Sequence, residues 1–331
     1  MGERVLLADI GGTNARFALL DDGVIGAITH LKVADFPSSV DAVATFLSRH
    51  EAGGPAAAAV MDVAGPIENN RCALTNSHWI IDGAELKSRF NLRSAKLLND
   101  FEAVGWSLPA LQHADLFPLG GTQGVAGAPM LVIGPGTGFG AACYLPNDGR
   151  PAVAVTEAGH ATLPVTTERE AQIVAKIREQ LGHVSIERGA LSGMGLEHLY
   201  RAIAALDGAA VAQRDAAAIT QLALDGSCAT SSATLDQFCT WLGAVAGNLA
   251  LTFCARGGVF IAGGIPPRFP ERVARSAFRK QFESKGRYDA YLRPIPAYIV
   301  TKPDISFLGL KSFFEADAAA GGRLPANELA T

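Results

Sequence analysis

The sequence predicts an α/β fold built as two domains, and three observations carry that reading. Short apolar runs alternate with stretches of helical period. The 331 residues suit about two domains of roughly 150 residues each. Glycine, 36 residues or about 11% against a typical ~7%, gathers at the turns between apolar runs. Hydrophobic residues make up 49% of the chain and charged residues 18%, which excludes disorder and provides for a sizeable core.

Residues 4 to 34 read as short strands joined at Gly11-Gly12 and Asp21-Asp22-Gly23, because such turns need positive φ. An amphipathic helix is expected at about 38 to 52, and an apolar strand at 56 to 63 runs up to Gly65-Pro66. Asp82 with Glu85 marks a helix start, and that helix reaches about Phe90. Ala95 to Asp100 reads as a strand with a polar end. Residues 111 to 129 hold Pro118, Gly120-Gly121, Gly124, Gly127 and Pro129, and read as a loop suited to a hinge or domain boundary. A strand is expected at 130 to 133, followed by a helix near 168 to 181 with Thr167 and Glu170 as its capping box. Helices at 211 to 224 and 234 to 255, a strand at 258 to 262 and a last helix at about 304 to 317 complete the order, with a loose tail from Ala318.

Against 32 acidic side chains stand 28 basic ones, a net charge of −4, which gives no electrostatic footprint for nucleic acid or an anionic membrane. The uncharged stretch 116 to 147 is broken by Gly and Pro, and the stretch 237 to 255 contains Gln237, Thr240, Asn248 and Thr252, so neither is read as a membrane span. The second is better read as a buried core helix. Five dispersed cysteines without a C-x-x-C pair argue against a disulfide framework and a structural zinc. Asp9 arrives before any signal-peptide core could form, so a cytoplasmic protein is expected.

Three glycine clusters are candidates for chemistry. Asp9-Ile10-Gly11-Gly12-Thr13-Asn14 lies at a strand-turn-strand, where glycines admit phosphate oxygens to backbone N–H groups and a strand-end Asp can hold hydrated Mg²⁺. An ordinary hairpin with an exposed acid is the plain alternative. Gly134-Pro135-Gly136-Thr137-Gly138-Phe139-Gly140 follows the strand Met-Leu-Val-Ile. Its Gly136-Thr137-Gly138-Phe139-Gly140-Ala141 satisfies the dinucleotide pattern G-x-G-x-x-A with Glu157 near the required distance, but that pattern needs a helix where this sequence offers a second strand. The third cluster, Gly257-Gly258 to Gly263-Gly264, frames an apolar strand against which an adenine could lie, or is merely a buried strand between turns. No Gly-Lys-Ser/Thr sequence occurs, so there is no P-loop.

Between the clusters stand Asn99-Asp100, Glu157-Ala-Gly-His160 and Glu187. Each has a bland reading, as a helix cap, a solvated acid or a surface histidine. Together they supply the carboxylate, amide and imidazole groups that sugar hydroxyls require. Phosphorylating a hydroxyl also needs a carboxylate to accept its proton, and Asp100 is the best candidate.

Leu-Ala-Asp9-Ile-Gly-Gly-Thr-Asn-Ala-Arg-Phe-Ala-Leu, Leu-Leu-Asn99-Asp100-Phe-Glu-Ala, Gly-Pro-Gly-Thr-Gly-Phe-Gly, Glu157-Ala-Gly-His160, Leu-Ser-Gly-Met-Gly-Leu and Phe-Ile-Ala-Gly-Gly-Ile, taken together, resemble the bacterial glucokinase family over roughly residues 4 to 317. The resemblance implies the two-domain actin-like ATPase (ribonuclease H-like) fold of actin, Hsp70 and hexokinase, with ATP and sugar in an interdomain cleft. Residues 1–110 with 301–331 would form the small domain and 111–300 the large one. It implies Asp100 as the base for the 6-hydroxyl of glucose, with Asn99, Glu157, His160 and Glu187 on the other hydroxyls. Ala8, Asp9, Ile10, Gly11, Gly12 and Thr13, with Gly136, Thr137 and Gly138, would hold the phosphates of ATP, Asp9 would hold Mg²⁺ through water, and Gly263-Gly264 would lie near the adenosine. Ala8, Phe139 and Met194 depart mildly from the family pattern, and the zinc motif of the related repressor and sugar-kinase group is missing. The expected activity is transfer of the γ-phosphoryl of MgATP to glucose, with domain closure excluding water, and the family suggests a homodimer. The rivals are a non-catalytic sugar-sensing regulator and a nicotinamide-dependent oxidoreductase.

Overall fold

The computed structural model describes residues 3–75, 77–147 and 150–322. The chain divides into two compact units: Met1–Leu111, Tyr144–Val155 and Pro303–Thr331 form the first, Gln112–Cys143 and Thr156–Lys302 the second.

In the first unit, β1 (Val5–Ile10) and β2 (Asn14–Asp21) form an antiparallel hairpin, closed where Gly11 N–H donates to Asn14 O at 3.0 Å. The next turn places Asp22 and Gly23 at φ 47° and 77°, as a tight connection to β3 (Val24–Ile25) requires. The expected third strand is in fact two, since β4 (Thr29–Lys32) returns to pair with the start of β2. β5 (Ala58–Val63) is buried throughout and lies parallel to β1. A small ribbon, β6 (Arg71–Ala73) with β7 (Ile80–Asp82), precedes β8 (Ser94–Asn99), and the sheet order is β3-β2-β1-β5-β8.

Helix Ser39–Ser48 is capped by the Ser38 hydroxyl, buries Ala42, Val43 and Phe46, and ends before the expected residue 52, where a separate turn Glu51–Gly53 begins. Asp82 caps helix Gly83–Arg89 through the N–H groups of Ala84 and Glu85, as its position predicts. The last helix, Ile305–Ala319, crosses helix Asp100–Ser107 at Gly309, where a Cβ would stand 1.7 Å from Ala103 O. Trp106 and Phe313 stack edge-on beside that crossing at 5.5 Å. Because this helix continues through Ala319, the tail expected from Ala318 does not begin there, and residues 323–331 lie outside the described residues.

In the second unit, β9 (Leu116–Pro118) falls inside the segment expected to be loop. It is an edge strand antiparallel to the last strand, a place where a proline costs no ladder bond. β10 (Met130–Pro135) turns through Gly136–Gly138 into β11 (Phe139–Leu145), and the chain then passes into the first unit, which holds β12 (Ala152–Thr156) but for its last residue. β13 (Gly258–Ile261) and β14 (Ala297–Val300) complete the run β11-β10-β13-β14-β9, with β10, β13 and β14 parallel. This repeats the first unit, where the hairpin β2-β1 is followed by the parallel strands β5 and β8.

Helix Glu168–Leu181 has the predicted capping box, and Glu170 is buried with its carboxylate accepting from Thr166, Thr167 and Gln237. Helix Gly193–Leu206 was not expected, because two glycines in its first turn make the sequence look like loop. Asp215 caps a helix that starts at Ala216 and not near 211. The longest helix, Ala229–Thr252, buries Phe238, Trp241, Leu242 and Val245 in the unit's core, so the uncharged stretch is a core helix. Among the described residues no helix is long and apolar enough to cross a membrane. All five cysteines are free thiols.

Candidate functional site

The first unit gathers polar groups on one face of its sheet. Asp9 is the register partner of Arg16 on β2 and of Asp62 on β5, and paired positions share a face. The Arg16 guanidinium donates to Asp9 Oδ2 and to Asp304, and Ser306 Oγ donates to the same Asp9 oxygen at 2.6 Å. One oxygen of Asp9, Oδ2, is thereby fixed from β2 and from the start of the last helix. Gly11, Gly12 and Thr13 stand partly or fully exposed at the hairpin tip, while Ala8 and Ile10 are buried beneath it.

Asn99 closes β8, and Asp100 is the first residue of helix Asp100–Ser107, a correction to its expected place at a strand end. Asn99 Oδ1 accepts from the N–H groups of Phe101 and Glu102 at 2.9 and 3.4 Å, so it caps the helix and leaves its amide as a donor. Asp100 Oδ1 accepts from Phe101 N–H at 2.9 Å. The bland capping reading holds, since each side chain places an oxygen at the helix start.

Asp62 is the residue that sequence reasoning missed here. Only 2% exposed, it has an Oδ2 without a hydrogen-bond partner. Burial holds its carboxyl well above the usual carboxylate range, and the charges of Asp9 and Asp100 push the same way against a weaker pull from Arg16. A signal was available, since Asp62 is the only charged residue between Glu51 and Glu68.

In the second unit the two later glycine clusters meet. Gly136 N–H donates to Gly138 O at 2.8 Å, and Ile265 N–H donates to Pro135 O at 3.2 Å. Gly263, at φ +82°, lies so close that a Cβ would stand 2.4 Å from Pro135 O. Ser192 caps helix Gly193–Leu206, and Gly193 N–H donates to Gly136 O at 2.9 Å, which joins a third glycine segment to the same turn.

The candidate sugar groups stand against this turn. Glu187 Oε2 accepts from Phe139 N–H at 2.9 Å, and a Cβ on Gly138 or on Gly159 would come within 2.7 or 3.5 Å of that oxygen. Gly159 belongs to the turn Ala158–His160, where Glu157 Oε2 and His160 Nε2 are 3.5 Å apart and both side chains are about two-thirds exposed. Ile186 N–H donates to Ala161 O and Leu163 N–H to Val184 O, so the segments carrying His160 and Glu187 run side by side. Glu157, His160, Glu187, Gly136–Gly138 and Gly263–Gly264 are thus brought together within one unit. β11 begins directly after Gly138, so no helix opens there and the nicotinamide reading of G-x-G-x-x-A falls.

Two units of matching strand order, each led by a glycine-turned hairpin with polar groups at its tip, define the actin-like ATPase fold, the architecture of sugar kinases. The glucokinase profile matches residues 6–317, and the chain belongs to the glucokinase family. It is 43% identical over 312 residues to the glucokinase of Paramagnetospirillum magneticum, covering 94% of this chain and 97% of that one. Its fold superposes on the crystal structure of a glucokinase from an Antarctic psychrotroph with a TM-score of 0.89 at 38% identity, covering 95% and 99% of the two chains. A ROK-family glucokinase from Streptomyces griseus, solved with glucose and AMPPNP, shares the fold at TM-score 0.60 and 18% identity, over 94% and 98% of the chains.

Proposed function

We propose that the protein transfers the γ-phosphoryl group of ATP to the 6-hydroxyl of glucose, with Asp100 accepting the hydroxyl proton. Family membership supports the reaction, and the observation that carries the residue assignment is the helix start at Asn99-Asp100. There a carboxylate is held by Phe101 N–H next to an amide whose oxygen is already committed. Asn99, Glu157, His160 and Glu187 bind the remaining hydroxyls. The hairpin tip at Gly12-Thr13, above the buried Ala8 and Ile10, and the turn at Thr137-Gly138 take the phosphates, and Gly263-Gly264 lies by the adenosine. Phosphoryl transfer passes through a loose transition state, so positioning and charge neutralisation supply most of the rate.

Mg²⁺ fits this arrangement. The ion usually takes one or two carboxylates together with waters and phosphate oxygens, and Asp9 offers one oxygen while the other is anchored by Arg16 and Ser306. When bound it neutralises charge on the phosphoryl oxygens. We place the reaction in the cytoplasm and expect a homodimer, both on family grounds.

The test is to incubate the protein with MgATP and a panel of hexoses, follow ADP and sugar phosphate, and repeat with Asp100→Asn. Glucose-dependent ADP formation is expected, with kcat lowered about 10²- to 10⁴-fold in the variant. Glucose binding without turnover would establish the sugar-sensing regulator instead. A fully active Asp100→Asn enzyme would remove the assignment of the base.

A further inference from the structure

We propose that Glu187 couples the two substrates: the carboxylate that receives a sugar hydroxyl also holds the Gly136–Gly138 turn, so glucose and nucleotide strengthen each other's binding. The inference rests on the glucose-kinase reading above and adds to it a route of communication between the ligands.

Glu187 is a member of a closed ring of contacts. Its Oε2 accepts from Phe139 N–H, the first amide after the turn, at 2.9 Å. Within the turn Gly136 N–H bonds Gly138 O, and Gly136 O accepts from Gly193 N–H. Ser192, the preceding residue, returns to Glu187 by donating its hydroxyl to the Glu187 carbonyl at 2.9 Å, and its oxygen accepts from Gly195 N–H. The turn is therefore tied at both ends to one short segment, once through backbone and once through a carboxylate.

Of these ties the one to the Glu187 side chain is made by a charged acceptor, and that group has capacity to spare. A carboxylate offers about four lone-pair sites, and the Phe139 N–H takes one. The carboxylate sits against Gly138, where a Cβ would stand 2.7 Å from its Oε2, and within ordinary contact distance of Gly159, in the turn carrying Glu157 and His160. A hydroxyl donated to Glu187 would confine the carboxylate to the position in which it holds Phe139 N–H, and so fix the amides of the turn in one arrangement before phosphate arrives. A nucleotide that orders the turn would in the same way preset the carboxylate for sugar. The two states differ in one definable contact, the Phe139–Glu187 bond, and the coupling must be reciprocal.

The experiment measures the glucose Kd by calorimetry on the full chain, with and without saturating Mg-AMPPNP. In the unmodified protein AMPPNP is expected to tighten glucose at least about 5-fold, the lower end of typical coupling. Gly138→Ala leaves the carboxylate chemically intact but places a methyl against it. Its glucose Kd measured alone should rise, because the methyl stands 2.7 Å from the oxygen that receives sugar, and its coupling should fall to about 1 at AMPPNP concentrations that saturate the variant. Glu187→Gln keeps an acceptor for Phe139 N–H, so it should retain coupling while binding glucose more weakly, whereas Glu187→Ala should lose both. The Gln and Ala pair decides the matter should Gly138→Ala not fold. Glucose and AMPPNP binding independently to the unmodified protein would overturn the inference alone, as would full coupling in Gly138→Ala or Glu187→Ala. A protein that binds no glucose would overturn the glucose-kinase reading itself.

Discussion

Asp9 on β1 and Asp62 on the parallel neighbour β5 are register partners, so two carboxylates share one face of the sheet, with Arg16 on the antiparallel β2 completing the row on the far side of Asp9. Asp9 is held by Arg16 and Ser306, whereas Asp62 is buried with an oxygen left unpaired. Burial, reinforced by Asp9 and Asp100, raises the Asp62 carboxyl well above its ordinary range.

A raised carboxyl means that the folded protein keeps a proton the unfolded chain has released. The stability tied to that proton is fully present below about pH 4, the unfolded value, and is lost as pH climbs through the raised folded value. Asp62→Asn removes the charge at equal size. Its melting temperature should exceed that of the unmodified protein by about 2 °C or more at pH 8, with the gap closing at pH 4. A gap of equal size at both pH values would mean that ionisation of Asp62 is not what costs stability.

The strand-turn architecture was legible because glycine turns are local: Gly11-Gly12 and Gly136–Gly138 announce hairpins from their own residues. Asn99-Asp100 was legible for a related reason, since polar residues ending an apolar strand stand out. Helix Gly193–Leu206 was hidden by Gly193 and Gly195, although Leu196, Leu199, Tyr200 and Ile203 follow at helical spacing and all are buried. Asp62 stands out as a lone charge in an apolar strand, but its pairing with Asp9 and the Phe139–Glu187 bond were out of reach for a different reason. Their environments are set by register and packing between segments far apart in the chain, which no local pattern encodes.

Asn99 caps the helix that begins at Asp100 with its oxygen, and the proposed function gives its amide a second duty, to a sugar hydroxyl. The two duties separate by substitution. Asn99→Ala should lose the cap, about 1 kcal/mol, and lower the melting temperature by a few degrees. It should also raise the glucose KM about 10-fold, the effect of one lost hydrogen bond. Asn99→Ser can still cap, so its melting temperature should match the unmodified protein while its KM rises as in the alanine variant. A serine variant that restores KM as well as stability would show that Asn99 acts only through the helix start.

Gly263 and Gly264 are adjacent yet differ in what an added methyl would meet. At Gly263 the backbone is left-handed, φ +82°, and a Cβ would stand 2.4 Å from Pro135 O, so Gly263→Ala combines about 1–2 kcal/mol of backbone strain with a clash that backbone must absorb. At Gly264 nothing lies within 4 Å of an added Cβ, so Gly264→Ala should fold with an unchanged melting temperature. If the adenosine lies against this strand end, the Gly264 methyl occupies the space of the ligand and not of the protein. The ATP KM should then rise about 10-fold while the glucose KM stays within about twofold, an asymmetry that a general loss of stability cannot produce. Steady-state kinetics with each substrate varied in turn read both values, and an ATP KM unmoved by Gly264→Ala would take the adenosine away from this pair of glycines.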